Sequence, residues 1–408
     1  MHYHKRTTCR ICGEKDLKHV LDLGKTPLAN AFLSKEAAKK KDATYPLQLV
    51  FCPNCSLVQL AHVVDPSVLF KGYHYLTSGS PVLVEHFQSE AVDIAARYKL
   101  GKKDLAVEIG SNDGILLAAI KDHVRVLGID PAETAAAEAK KRGVDTVIDF
   151  FGERVARSVV KKHGQAKVIF ANNVIAHIDD LDDVLKGVQI LLADDGGFVF
   201  EAHWVYNLIG DGGFDQIYHE HLSYYSLHAL SHLAKRFGFV VADVETVPIH
   251  GESLRVFFQK KGKSSLRVTK LLAREKKAGL DTIRAYRRFA PKVEKNKRDL
   301  VKLLDSLKKK GFTIAGYGAS AKGNTLLNYM HISRKHLDFI TDTIPLKQWT
   351  FTPGAHIPVV PPDMLFTKRP DYLLLLAWNY APSILHREQA LRALGTKFII
   401  PVPKVQVV

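Results

Sequence analysis

Six side chains able to move or steer protons fall within eight residues of the stretch Phe214–Leu227, FDQIYHEHLSYYSL: Tyr218, His219, Glu220, His221, Tyr224 and Tyr225. Histidine changes charge near neutral pH and tyrosine donates hydrogen bonds, so the group is equipped for general acid–base work. A run of half-buried aromatics with two satisfied histidines has the same composition. A metal site is the third reading, because His219 and His221 share a face if the segment is extended. The choice depends on what the rest of the chain brings to this stretch.

The four cysteines form two pairs, Cys9-x2-Cys12 and Cys52-x2-Cys55. This spacing lets both thiolates of a pair reach one ion, and two pairs close a tetrahedral all-sulfur shell. Gly13 after the first pair and Pro53-Asn54 within the second are the turn residues such knuckles use. The expectation is a structural zinc on Cys9, Cys12, Cys52 and Cys55, with no open position for catalysis.

At 408 residues the chain exceeds one core, so two or three domains are expected. Apolar content of 46% and charged content of 25% are those of an ordinary globular protein. No apolar run approaches the ~20 residues that span a bilayer, and MHYHKRTTCR is no signal peptide, so a cytoplasmic enzyme is expected. The net charge of +16 invites a nucleic-acid reading. Much of the excess, however, lies between Lys260 and Lys310, where Leu280, Ile283, Tyr286, Phe289, Val293, Leu300, Leu303, Leu304 and Leu307 recur at near-helical spacing. That pattern predicts one long helix with a solvated basic face; a surface for an acidic partner is the alternative.

Asp104–Gly114, DLAVEIGSNDG, places an apolar strand before a glycine loop and a helix beginning at Ile115. This is the opening unit of a doubly wound α/β domain, whose ligands lie at the carboxyl ends of the strands. A second strand, Val124–Ile129, ends in Asp130, where an acid can accept both hydroxyls of a ribose. The loop lacks the G-x-G-x-x-G of a pyrophosphate site. Its pattern, Glu108-x-Gly110-x-Asn112-x-Gly114, resembles motif I of class I S-adenosylmethionine (SAM)-dependent methyltransferases. Further strands are expected at Thr146–Phe151, Val168–Ala171 and Gly197–Glu201, with a helix over Asp179–Leu192. The resemblance implies SAM contacts from Glu108, Gly110, Asn112, Gly114 and Asp130, from Asp149 and Phe150 near adenine, and from Asn172 and Asn173. The segment NNVIAHID lacks the proline-aromatic motif of enzymes that methylate nucleic-acid amino groups.

A second strand–glycine loop–helix unit, Thr313–Tyr329, carries Gly316, Gly318, Ser320, Lys322, Gly323 and Asn324. Backbone N–H groups at such a helix start suit phosphate, and Lys322 adds a charge. No Lys-[Ser/Thr] follows the last glycine, so a diphosphate held without hydrolysis is expected. A glycine loop with only a structural role is the alternative.

The whole order then resembles the nucleotide-sugar C-methyltransferases that install branched methyl groups on deoxysugars. The resemblance rests on the four-cysteine module, the aromatic-serine linker before Ser80, EIGSNDG, FDQIYHEHLSYYSL, HGESLRVF (His250–Phe257), GYGASAKGNTLLNY and TPGAHIP (Thr352–Pro358). It implies a zinc-binding domain over 1–66, a SAM methyltransferase domain over 67–246 and a second Rossmann-like, substrate-binding domain over 247–408. The implied substrate is a nucleotide-linked 4-keto-6-deoxy sugar, methylated at the carbon beside the keto group, with C3 as the acceptor. His221 would be the base, with Tyr218, Glu220 and His177 in the same pocket. Tyr73, Tyr75, His250, Arg255 and the loop of Gly316, Gly318, Ser320, Lys322 and Asn324 would hold the sugar nucleotide. No nucleic acid or membrane partner is implied, and a monomer or weak homodimer is expected. Glu252, Trp349-Thr350-Phe351 and the lead-in EAHWVYNLIGDGG (Glu201–Gly213) depart from the family pattern.

The chemistry is coherent, because a carbon beside a carbonyl becomes a nucleophile only after losing a proton, and the enolate oxygen then needs donors. Two other functions fit parts of the chain. One is a SAM-dependent RNA or protein methyltransferase using the basic surface; the other is a non-catalytic nucleotide-sugar binding protein.

Overall fold

Tyr45–Phe51 alternates buried and half-buried side chains, the mark of a strand with one face in a core. In the computed structural model, which describes residues 2–69, 76–249 and 251–408, this strand lies within the cysteine module. Tyr73, Tyr75 and His250, expected at the substrate, lie outside the described residues. The module's strands are β1 (Tyr3–Lys5), β2 (Lys18–Thr26), β3 (Tyr45–Phe51), β4 (Val58–Leu60) and β5 (His62–Val64).

The central unit contributes β6 (Leu105–Ile109), β7 (Arg125–Ile129), β8 (Thr146–Val147), β9 (Ala166–Phe170) and β10 (Leu192–His203). After these come β11 (Ser223–Tyr224), β12 (Val240–Val247) and β13 (Ser253–Gln259). Its seven-stranded sheet has the order β12-β13-β10-β9-β6-β7-β8, parallel except that β13 runs antiparallel to both neighbours. Every residue of β6 is buried, as expected of a parallel strand covered by helices on both faces.

The remaining strands, β14 (Ile314–Tyr317), β15 (Ile340–Thr341), β16 (Val359–Val360), β17 (Tyr372–Leu375), β18 (Lys397–Ile400) and β19 (Gln406–Val407), form a second sheet. Its order, β16-β15-β14-β17-β18-β19, is doubly wound about β14 and β17, with only β19 antiparallel. The expected class, a zinc-type module followed by two Rossmann-like α/β units, is the one observed.

β11 belongs to neither α/β sheet. It joins the N-terminal module in the order β11-β4-β3-β2, with Ser223 opposite Gln59 and Tyr224 opposite Val58. The acid–base stretch is therefore hung on the cysteine module by strand addition. One apolar cluster continues across the junction, taking in Leu49, Phe214, Ile217, Tyr224, Leu327 and Met330.

Two expectations change. The basic region forms three helices, Leu266–Ala278, Ile283–Arg287 and Phe289–Lys309, because the chain turns at Gly279 with φ +76°. The strand expected over Thr146–Phe151 is only Thr146–Val147. β13, just past the boundary expected at 246/247, pairs with β12 and β10 of the central sheet.

Candidate active site

Tyr218 to His221 form a turn closed by the His221 N–H on the Tyr218 carbonyl at 2.9 Å. The segment is thus neither extended nor helical, and His219 and His221 part company. His221 Nδ1 lies 3.0 Å from the Gln216 carbonyl, and Nε2 lies 2.8 Å from the Tyr218 hydroxyl. A carbonyl only accepts, so the proton of neutral His221 sits on Nδ1 and Nε2 is the acceptor for Tyr218 O–H. The His177 and His203 rings pack against His221 with centroids 5.1 and 4.8 Å away. Burial pushes His177 down to about 4. The Leu222 N–H on the Ala176 carbonyl (2.8 Å) and Tyr225 O–H on the Ile175 carbonyl (3.1 Å) tie the two loops together.

His219 and Glu220, at the centre of the turn, face the N-terminal module. His219 Nε2 lies 3.2 Å from the Tyr45 carbonyl, and burial pushes it down to about 4. The Glu220 carboxylate accepts from Asn30 Nδ2 at 2.9 and 3.0 Å. Burial raises Glu220 to about 7, opposed by that amide.

The crevice after β6 and β7 collects most residues expected at the cofactor. The Gly110 N–H donates to the Ile129 carbonyl (2.8 Å) at φ +68°, and a β-carbon there would lie 2.3 Å from Val174 Cγ2. Asp130 accepts from Asn112 N–H and Ala132 N–H, both at 2.8 Å, which fixes the loop around it. Thr77 N–H donates to Asn112 Oδ1 at 2.9 Å, so the hydroxyl-rich linker closes onto the same loop. Glu108 is buried with its Oε2 unpartnered, and burial lifts it well above the usual carboxylate range, helped by Glu90, Asp130 and Asp113. Asn172 bridges Glu90 (2.6 Å) and the Glu201 N–H (3.0 Å). The Asn173 N–H donates to the Glu201 carbonyl at 2.9 Å. Asp149 is paired with Arg154 at 2.6 Å, and Phe150 is exposed beyond the edge strand β8.

Arg255, also expected at the sugar nucleotide, belongs to the central sheet and not to the C-terminal glycine loop. It sits on β13 with Nη2 2.8 Å from Glu201 and Nε 3.3 Å from Glu90, both buried. His86 Nε2 meets Glu201 at 2.9 Å. His86, Glu90 and Glu201 are close enough to share an ion, and the Arg255 guanidinium already pairs with both carboxylates.

In the C-terminal unit, Gly318 (φ +86°) donates to the Thr341 carbonyl at 2.8 Å, and Asp342 accepts from Ala319 N–H and Ile344 N–H at 2.8 Å each. This repeats the clamp that Asp130 makes in the central unit. Ser320 caps the following helix through the Gly323 N–H at 3.1 Å. Lys322 is half-buried, with its Nζ buried over the Trp378 ring at 4.2 Å and without a hydrogen-bond partner among the described residues. Burial lowers it to about 8, with Asp215 opposing. Trp378 Nε1–H donates to Asp215 at 2.6 Å, and Asn324 Nδ2 donates to the Ala29 carbonyl at 2.7 Å. The C-terminal loop therefore borders both the acid–base stretch and the N-terminal module.

Sequence reasoning missed Asn30, His203, Asp215 and Asp342. His203 and Asp342 had a signal, since each ends or follows a strand at its carboxyl end. Asn30 had none.

The chain is 38% identical to the C-methyltransferase NovU of Streptomyces niveus over 98% of its own length and 96% of the relative's. Family models match it as a zinc binding domain over residues 9–70, a methyltransferase domain over 85–244 and a C-methyltransferase C-terminal domain over 248–403. The chain belongs to the C-methyltransferase family. Among solved structures, the PH0226 protein of Pyrococcus horikoshii OT3 is 12% identical over 47% of this chain and 98% of its own, with a TM-score of 0.37. The SAM-bound magnesium protoporphyrin IX methyltransferase of Synechocystis PCC 6803 is 10% identical over 43% and 79%, with a TM-score of 0.32.

This C-methyltransferase is a SAM-dependent enzyme with a zinc module. Zinc fits the cysteines: Cys9 and Cys55 sulfurs are 3.4 Å apart and those of Cys12 and Cys52 3.5 Å. Sulfurs at about 2.3 Å from one ion are about 3.8 Å from each other in a tetrahedron. The two knuckles match, with Gly13 (φ +75°) and Ser56 (φ +64°) donating to the Cys9 and Cys52 carbonyls. The unpartnered Glu108 oxygen at the foot of the glycine loop suits a cationic amino-acid ligand. Among the described residues, no helix of this C-methyltransferase is long and apolar enough to cross a membrane.

Proposed function

We propose that the enzyme methylates the carbon beside the keto group, C3, of a nucleotide-linked 4-keto-6-deoxy sugar. The observation that carries this reading is the Tyr218–His221 pair, whose tautomer the Gln216 carbonyl sets. His221 Nε2 is thereby an acceptor at neutral pH. As base it takes the substrate C–H proton, directly or through Tyr218, whose oxygen receives that proton while its own passes to Nε2. The electron pair of the broken C–H bond moves to the carbonyl oxygen as an enolate, which a protonated Tyr218, His177 or Glu220 can stabilise by donating. SAM would supply the methyl group on a sulfonium, whose sulfur would leave as a neutral thioether as the enolate carbon takes the methyl.

We place SAM against Glu108, Gly110, Asn112, Gly114, Asp130, Asn172 and Asn173, with Asp149 and Phe150 at the adenine edge. Gly316, Gly318, Ser320, Lys322 and Asn324 take the diphosphate. Asp342, which repeats the loop clamp of Asp130, supports a nucleoside in that second crevice. Arg255 acts at a distance, by neutralising Glu90 and Glu201. The reading makes the partner a small sugar nucleotide and not nucleic acid, in a cytoplasmic enzyme that works as a monomer or weak homodimer. Incubation with SAM and a panel of nucleotide-linked 4-keto sugars tests it. A mass gain of one methyl on one of them is expected, and methylation of none would reject the substrate class.

A further inference from the structure

On one side, the turn carrying Tyr218 and His221 is held by the N-terminal module. β11 extends the module's sheet, and Leu60 N–H donates to the Leu222 carbonyl at 2.9 Å just before it. His219 meets the Tyr45 carbonyl, and Glu220 meets Asn30. Glu220 is only 5% exposed, and no hydrogen bond other than the two from Asn30 reaches its carboxylate among the described residues. Asn30 is itself exposed, on a loop that Asn324 grips from the C-terminal unit through the Ala29 carbonyl. An exposed amide bonded to a buried carboxylate adds little to a core, yet it sets the orientation of the group it bonds.

We propose that Asn30 is a positioning residue for methyl transfer, holding the Glu220 carboxylate and with it the turn that presents Tyr218 and His221. The inference rests on the reading of that pair as the base. It assigns the zinc module a part in catalysis beyond stability, through one side chain. A donor to a carboxylate favours the ionised form, so removal of Asn30 raises the Glu220 titration further. The titratable groups nearby are Tyr218, His219 and His221 of its own turn, with His177 and His203 against His221. Burial and Asn30 are the two influences on Glu220.

The test uses the zinc-loaded full chain and the variants Asn30→Ala, Glu220→Gln and both together. Infrared titration follows the protonated carboxyl band that Glu220→Gln removes, a readout that needs no turnover. Asn30→Ala is expected to move that midpoint, and the limb of the kcat profile that follows it, to higher pH. It should lower kcat about tenfold, below the ~10²–10⁴ of a lost acid–base group, while SAM affinity holds. In the Glu220→Gln background Asn30→Ala should add nothing. An unmoved Glu220 midpoint, or effects on kcat that multiply independently, would overturn the proposal. A shifted midpoint in a protein that methylates no keto sugar would reject the substrate reading and leave the Asn30–Glu220 coupling standing.

Discussion

Replacing His221 with alanine removes the acceptor of the Tyr218 hydroxyl and the donor to the Gln216 carbonyl. A free tyrosine titrates near 10, so at pH 7 only about one in 10³ is ionised, and without the imidazole its proton has nowhere favourable to go. A lost acid–base group costs ~10²–10⁴-fold, or about 3–5 kcal/mol of barrier at 1.36 kcal/mol per decade. Loss of these two hydrogen bonds in a purely structural role costs about 1–3 kcal/mol of folding stability, which is read in the melting temperature and not in the exchange rate of the folded protein. The two roles are therefore separable by rate. The assay is deuterium uptake by the bound keto sugar in D2O, with a SAM analogue that cannot transfer methyl, read by mass spectrometry. His221→Ala should slow uptake at least ~100-fold with SAM and sugar nucleotide still bound. Tyr218→Phe should do less, because water partly replaces a donor. Normal uptake in folded His221→Ala would refute the base assignment and pass the role to Tyr218 or His177.

Stability should depend on pH with a definite sign. His177 and His219 are depressed to about 4, so their contribution is complete above about 6.5 and is lost as pH falls toward 4. Glu220 is raised to about 7, so its contribution is complete below about 4.5 and is lost as pH rises through 7. Between those limits Glu220 offsets one histidine, and Glu220→Gln should steepen the acid loss by about 1.4 kcal/mol per pH unit; equal slopes in denaturation midpoints at several pH values would reject this. Cys52→Ser should lower the melting temperature and also slow deuterium uptake, since β11 hangs on the strand that follows Cys55. A metal-free protein with full stability would contradict a structural zinc. Lys322→Ala should raise the KM for the sugar nucleotide and leave SAM affinity unchanged by calorimetry; an equal loss of both would point to a folding defect.

Both glycine loops were legible because each needs a buried strand followed at fixed offsets by a glycine at positive φ; the acid ending the next strand was read only for the first, as Asp130, and not for the second, as Asp342. The cysteine pairs were legible for the same reason, since ligand spacing within a knuckle is local. The basic region was read as one helix because its apolar residues recur at near-helical spacing from Leu280 to Leu307, while the chain turns at Gly279 and breaks again between Arg287 and Phe289. Arg255 was expected at substrate from its place in HGESLRVF; its partners Glu201 and Glu90, which β13 pairing brings beside it, are distant in sequence and were not legible.

The stretch Phe214–Leu227 by itself determined that tyrosine, histidine and a carboxyl would be available together. It could not determine which of them touch. That was decided by a two-residue strand joining the N-terminal sheet, which pins the turn so that His219 and Glu220 meet Tyr45 and Asn30, leaving His221 to Tyr218. Strand addition is specified by backbone hydrogen bonds, which every residue can make, so its partner leaves no mark in the local sequence.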